Sequence, residues 1–269
     1  MLGLIGLLTL AFAGLAFVPS LGNGVDEDDD ARPTDGDDYH VFDEENNIIA
    51  GLGGNDILDG GEGDDVIGGG TGDDVLHGGP GDDAVGGGDD DDTLFGHVGA
   101  DAMSGSDGDD SLNGGGGADV LSGGAGDDAL SGSYDDDTLI GGAGSDVMFG
   151  GDGDDLVDGV TGEDVATADF VNGGAGDDTL IGGAFDTLNG GSGADMFIGA
   201  ATATAAAQVE DFTPGQDSIA LFYDADDLEP EITVEETEDG VIILADGAQV
   251  LALDGITAAD LGPINMIAT

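Results

Sequence analysis

The chain has 269 residues and carries 61 acidic side chains against one basic one, Arg32, for a formal charge of −60. That balance excludes nucleic acid as a partner, because phosphate binding rests on Lys and Arg, and it excludes anionic membrane surfaces for the same reason. Cysteine is absent, so no disulfide can form and rigidity has to come from packing or from metal.

The acids are mostly aspartate, 50 Asp against 11 Glu, and 56 further residues are glycine. Both types disfavour ordinary helices and strands. High net charge of this kind reads as disorder unless the acids are periodic. They are periodic.

The chain opens with Met1–Leu21, apolar and uncharged, close to the length that spans a bilayer. No Lys or Arg precedes the apolar run, as a secretory signal would require, while Ala11-Phe12-Ala13 is a passable cleavage site. Residues 1–22 are expected to be a signal-like or membrane-anchor segment, with a buried apolar helix as the alternative. Residues 23–40 read as an acidic linker. Tyr39–Ala50 reads as a degenerate first coil whose strand is Ile48-Ile49-Ala50.

From Gly51 to Ile198 the sequence falls into a nine-residue frame, as in Gly60-Gly61-Glu62-Gly63-Asp64-Asp65-Val66-Ile67-Gly68. Sixteen copies hold the sixth position with Asp56, Asp65, Asp74, Asp83, Asp92, Asp101, Asp110, Asp119, Asp128, Asp137, Asp146, Asp155, Asp164, Asp178, Asp186 and Asp195. The eighth position is apolar throughout and small only at Ala166. Register holds through thirteen copies. Five extra residues, Ala168–Asn172, then intervene, and the copy at Gly182–Asn189 is one residue short.

This is the G-G-x-G-x-D-x-U-x repeat, and through it Gly51–Ile198 resembles the RTX, or hemolysin-type calcium-binding, family. The resemblance implies an all-β fold, a right-handed parallel β-roll of nonapeptide repeats over residues 41–199. It also implies multiple bound Ca²⁺, and an extracellular protein exported by type I secretion.

The residues support that expectation independently. A three-residue x-U-x piece suffices for a short strand with U on one face. The six-residue G-G-x-G-x-D piece is turn chemistry, glycine supplying positive φ and close backbone approach. Two units then close a coil of eighteen residues, and sixteen units give eight coils, about 38 Å of stack. Stacking sets Asp65 over Asp83 and Asp74 over Asp92. Unpaired carboxylates at that spacing repel by roughly 1 kcal/mol per neighbour even in water. A hard cation wanting six to eight oxygens relieves them, and calcium suits flexible turns better than magnesium does. Zinc is disfavoured without a Cys or His cluster. The sixteen sixth-position aspartates are therefore the candidate metal ligands. One narrow apolar column cannot repay the ordering of a glycine-rich chain, so calcium binding is expected to be folding.

Residues 200–269 are expected to form a C-terminal β cap. Gln208–Leu221 is similar to the D-F-x-x-G-x-D-x-I-x-L segment that follows the roll in this family, with Asp211 and Asp217 either holding one more ion or forming a plain turn. Alternation at Ile232/Val234, Val241–Leu244 and Gln249–Leu253 predicts a meander, turning at Glu238-Asp239-Gly240 and Asp246-Gly247. Thr257-Ala258-Ala259-Asp260 predicts a short capped helix. The family's uncleaved secretion signal falls in this region, and Asn265–Thr269 is compatible with it.

No catalytic constellation is present: no H-E-x-x-H, no G-x-S-x-G, no P-loop lysine and no cysteine nucleophile. His40, His77 and His97 read as surface residues, with His77 and His97 on opposite sides of the roll. The functional expectation is a non-enzymatic calcium-binding protein, folded outside the cytoplasm as a structural, matrix or adhesive surface component. Its expected partners are calcium ions, further copies of itself or a cell-surface matrix, and a membrane only through the N-terminal segment. The alternatives are an exported accessory module for a separate enzyme, or a membrane-anchored calcium buffer or sensor.

Overall fold

The structure, a computed structural model, describes residues 34–42, 44–162, 167–200, 205–223 and 229–268. Met1–Leu21, Asp164 and Ala166 lie outside the described residues, and with them the expected signal-like or anchor segment. Among the described residues there is no helix, hence none long and apolar enough to cross a membrane.

Strands alternate along the chain between two sheets. The first sheet takes Tyr39–Val41, Ile57–Asp59, Val75–Pro80, Thr93–Val98, Ser111–Gly116, Ala129–Tyr134, Val147–Asp152, Phe170–Ala175, Thr187–Ser192 and Ala207–Val209, all parallel. The second takes Ile48–Ala50, Val66–Thr71, Ala84–Asp89, Ala102–Asp107, Val120–Ala125, Thr138–Ala143, Leu156–Asp158, Thr179–Gly182, Met196–Ala200 and Ser218–Tyr223. Each consecutive pair is one coil, and the whole is a parallel β-roll. Val66 pairs with Ala84 and Leu121 with Leu139, so the rise per coil is one strand spacing for eighteen residues. Two coils more than the sixteen-copy count stack up: Tyr39/Ile48, the degenerate first coil expected, and Ala207/Ser218, which follows the last copy. At about 4.8 Å per rung, ten coils extend roughly 48 Å.

The strands are longer than the x-U-x pieces expected. Most run six residues, from position seven through the next copy's position three, as Val66–Thr71 does, and only positions four to six turn. Their burial alternates, with U and the first-position glycine inward. One side chain per strand therefore fills the interior. That column runs from Ile49 and Leu58 through Leu94, Leu121 and Met148 to Phe197, Val209 and Ile219, all nearly inaccessible.

The inward glycine is required by space rather than by backbone angle. A Cβ on Gly123 would collide with Asp128 Oδ2 and lie 2.6 Å from the Gly141 carbonyl oxygen. A Cβ on Gly116 would meet nothing within 4 Å. Gly123→Ala is expected to cost about 2–3 kcal/mol by overpacking, and Gly116→Ala close to nothing. Calcium midpoints for folding of the two variants check this, and equal midpoints would refute the inward assignment.

Past Asp158 the structure overturns the expected register. Val147 pairs with Phe170, 23 residues on, and Phe170 with Thr187, 17 on. Val171 takes the buried apolar position, and Asp169 holds the place expected for Asp164. The five extra residues therefore fall in sequence between Asp158 and Asp169, and the segment expected to be inserted, Ala168–Asn172, contains strand residues. The reason is pairing: Asp169-Phe170-Val171-Asn172 is itself a D-x-U-x match, and it directly precedes Gly173-Gly174 without a gap.

The meander forms as expected. Ile232–Glu236, Gly240–Ala245 and Ala248–Asp254 are antiparallel, with Asp246 and Gly247 both at positive φ as a two-residue hairpin turn requires. Ala248–Asp254 adds to Ala207–Val209, and Ile264–Ala268 to Ser218–Tyr223, so the last coil is covered on both sheets. The expected helix at Thr257–Asp260 is only a turn. The Thr257 amide and Oγ1 both donate to Asp260 Oδ2, as a cap would. Gly262-Pro263 follows at once and ends the turn before a helix can propagate.

Candidate metal centre

The turns place one aspartate per copy in the interior of each flank. Every described sixth-position aspartate is at most 2% exposed. The side chains form two ladders along the stack. The Asp56 amide donates to Asp74 Oδ1 at 2.7 Å, the Asp74 amide to Asp92 Oδ1 at 2.8 Å, and the Asp92 amide to Asp110 Oδ1 at 2.8 Å. The other flank repeats this from Asp65 through Asp83, Asp101, Asp119, Asp137 and Asp155. Oδ1 is thus spent on the backbone of the preceding coil.

Oδ2 is not. In Asp56, Asp74, Asp83, Asp92, Asp101, Asp110, Asp119, Asp128, Asp137, Asp155 and Asp178 it is buried with no hydrogen-bond partner. Beside it lies the carbonyl oxygen of the first-position glycine one coil on: a Cβ on Gly96 would touch both Asp101 Oδ2 and, at 2.7 Å, Gly114 O. Carbonyls of the second and fourth positions also face the next coil, where a Cβ on Gly79 would strike Gly61 O and one on Gly81 would strike Gly63 O. Each flank is therefore lined with oxygen, and the Oδ2 atoms just named have no donor to meet them.

Electrostatics reports the same imbalance. Burial pushes Asp128 up to about 7, its neighbours Asp146, Asp110 and Asp109 push the same way, and the Asp110 amide offsets only part. Asp92, Asp137 and Asp178 also reach about 7, and Asp74, Asp83, Asp101, Asp110, Asp119 and Asp155 about 6, burial being the largest cause in each. A buried unpaired acceptor costs about 1–3 kcal/mol, more when charged. Among the described residues no three acidic or histidine side chains converge on a point. The donors are instead one carboxylate per turn and several main-chain carbonyls. That is the all-oxygen, flexible set calcium prefers, and it lacks the Cys and His ligands that zinc sites favour.

Three features lay outside the sequence reading, and a fourth qualifies it. The first is Asp169, which receives the Asp146 amide at 2.8 Å and passes its own to Asp186. The second is the start of the ladders: the amides of Asp38 and Asn47 donate to Asp56 and Asp65. Asp38 falls within the segment read as linker, and its spacing of eighteen from Asp56 is the signal that marks it. The third is a fifth-position ladder running the opposite way and exposed, with Asp109 donating to Asp91, Asp127 to Asp109 and Asp154 to Asp136. The fourth is at the far end. Asp217 accepts the Asp195 and Thr213 amides, and Asp211 accepts those of Gly190 and Gly191. Both of these acids are thus engaged with backbone donors.

The histidines correct the expectation in another way. His77 and His97 are not on opposite sides: they sit on neighbouring strands of the first sheet, with Nδ1 of His77 2.9 Å from Nε2 of His97. Position nine of one strand and position two of the next lie diagonally on one outer face, which counting along the chain did not reveal.

A sequence model of the RTX calcium-binding nonapeptide repeat matches residues 43–76, 68–103, 95–130, 131–166, 166–186 and 184–202. The matches run without a gap over 43–202, more than half of the chain. No curated protein matches it.

Proposed function

The chain belongs to the RTX calcium-binding nonapeptide-repeat family, and from that premise we propose that it is a non-enzymatic protein that folds around calcium outside the cytoplasm and serves as a structural, matrix or adhesive surface component. The observation that carries this reading is the run of buried Oδ2 atoms without a donor, repeated turn after turn. A catalytic site needs one arrangement of unlike groups; here one arrangement recurs along the whole rod, which suits an architectural role.

In this reading the sixth-position aspartates bind calcium together with the turn carbonyls, with Asp169 standing in for Asp164. Cytosolic calcium is too scarce to fill such sites, so the chain stays unfolded until export. External calcium then both folds it and neutralises its flanks, and neutralised rods can approach one another or a surface.

Titration calorimetry with parallel light scattering tests the proposal. Each flank has seven gaps between consecutive ladder aspartates from Asp56 or Asp65 onward, so about 10–14 ions are expected to bind, with scattering rising as the sites fill. Fewer than about six ions would overturn the coordination, and a strictly monomeric calcium form would overturn the matrix role.

A further inference from the structure

The first sheet's outer face holds a group that the calcium ladders do not use. His77 lies flat on Phe95, ring centroids 4.8 Å apart and planes within 8°, and His97, from the same strand as Phe95 and 6.0 Å from it, completes a triangle of rings. The His77 and His97 centroids are 5.2 Å apart with the facing nitrogens at 2.9 Å. Since each ring nitrogen stands about 1.1–1.2 Å from its centroid, both nitrogens lie on the line joining the rings. The pair is edge to edge, and one nitrogen of each ring faces the other.

Apart from His40 at the first strand, the other metal-binding groups described on the roll are carboxylate and carbonyl oxygens. The chain has no cysteine and only three histidines, and two of them meet here. Burial against Phe95 and the nearness of His97 lower the pKa of His77, while Asp59, its register partner on the preceding strand, raises it. Neutral imidazole is thereby favoured at neutral pH, the state a metal requires.

We propose that His77 and His97 form a two-nitrogen site for a borderline divalent ion of the Cu(II) or Ni(II) class, separate from the oxygen sites that take calcium. With metal–nitrogen bonds of about 2.05 Å, a 2.9 Å nitrogen separation subtends roughly 90°, the cis angle of a tetragonal centre. His97 is exposed, so its ring can swing to bring both lone pairs onto one ion. Water completes the coordination, as no third histidine or acid converges there among the described residues. Imidazole selects these ions over calcium by softness, and the ladders select calcium by their carbonyls. The two metal types therefore load independently.

Electron paramagnetic resonance of the full chain with one equivalent of Cu(II), in saturating calcium, tests the site. Nitrogen hyperfine structure from two imidazoles is expected. His77→Ala and His97→Ala should each leave at most one nitrogen and weaken binding more than about tenfold, since even outer-shell partners are worth that much. His40→Ala should change nothing. The calcium-induced circular dichroism of the double variant controls for folding, because both rings lie on the outer face. Oxygen-only coordination in the native chain, or nitrogen signals that persist in the double variant, would overturn the proposal.

Discussion

In excess chelator at pH 8 the chain is expected to be expanded and without β signal, and millimolar calcium is expected to restore both the signal and a compact radius. The fold places at least eleven carboxylate oxygens in the interior with no donor, each costing about 1–3 kcal/mol or more when charged. A single domain's net stability is only about 5–15 kcal/mol, so the metal-free roll cannot hold at a pH where these groups are ionised. Protons can substitute in part. The ladder aspartates rise from an ordinary 3.8 to about 6 or 7 in the fold, so the folded state binds protons more tightly than the unfolded one. Their contribution is therefore fully present below about pH 4 and lost as pH rises through 6 and 7. Chelated protein brought from pH 8 to pH 5 should regain β signal, whereas calcium-loaded protein should change little across neutral pH. Circular dichroism and dynamic light scattering read both arms. A compact β-rich chain in chelator at pH 8 would refute metal-driven folding.

Asp169→Ala is expected to damage folding as much as Asp110→Ala, and Asp164→Ala hardly at all. Asp110 receives the Asp92 amide and Asp169 the Asp146 amide, both at 2.8 Å and both buried. Removing either acid orphans an amide at a cost of about 1–3 kcal/mol and deletes the carboxylate of its turn. Because coils contact only their neighbours, such a break interrupts propagation along the stack. The calcium midpoint should rise about tenfold or more for Asp110→Ala and Asp169→Ala, and stay within about twofold for Asp164→Ala. The insertion is flanked by intact pairing on both sides, Val147 with Phe170 and Leu156 with Thr179. Folding midpoints of the three variants decide the register. A shift for Asp164→Ala equal to that of Asp110→Ala would restore the frame counted along the chain.

Much of the roll was legible in the residues themselves. A period of nine with Asp at six and an apolar residue at eight repeats the same turn and the same inward side chain. Eighteen residues then return the chain to its starting direction, so the two sheets, the Leu58-to-Phe197 column and the calcium-class donor set follow from spacing alone. The strand length did not, because Gly-Gly-x reads locally as turn. Only neighbours above and below supply the pairing that keeps Gly69 or Gly123 extended.

Where the pattern falters, tertiary pairing decided. Asp164-Val165-Ala166 and Asp169-Phe170-Val171 both satisfy the motif, and nothing local separates them. The adjoining strand does, because Phe170–Ala175 can pair along its whole length with Val147–Asp152 without a gap before Gly173. The first coil, Tyr39–Val41 with Ile48–Ala50, was legible as a degenerate copy, whereas the last coil at Ala207 was set by the open edge it covers. His77 and His97, twenty residues apart in a chain with an eighteen-residue coil, became neighbours only once the stack was wound. Periodicity specifies a lattice of positions; which residues occupy it at a defect, and which outer side chains meet across it, depends on contacts between coils that no single stretch of sequence contains.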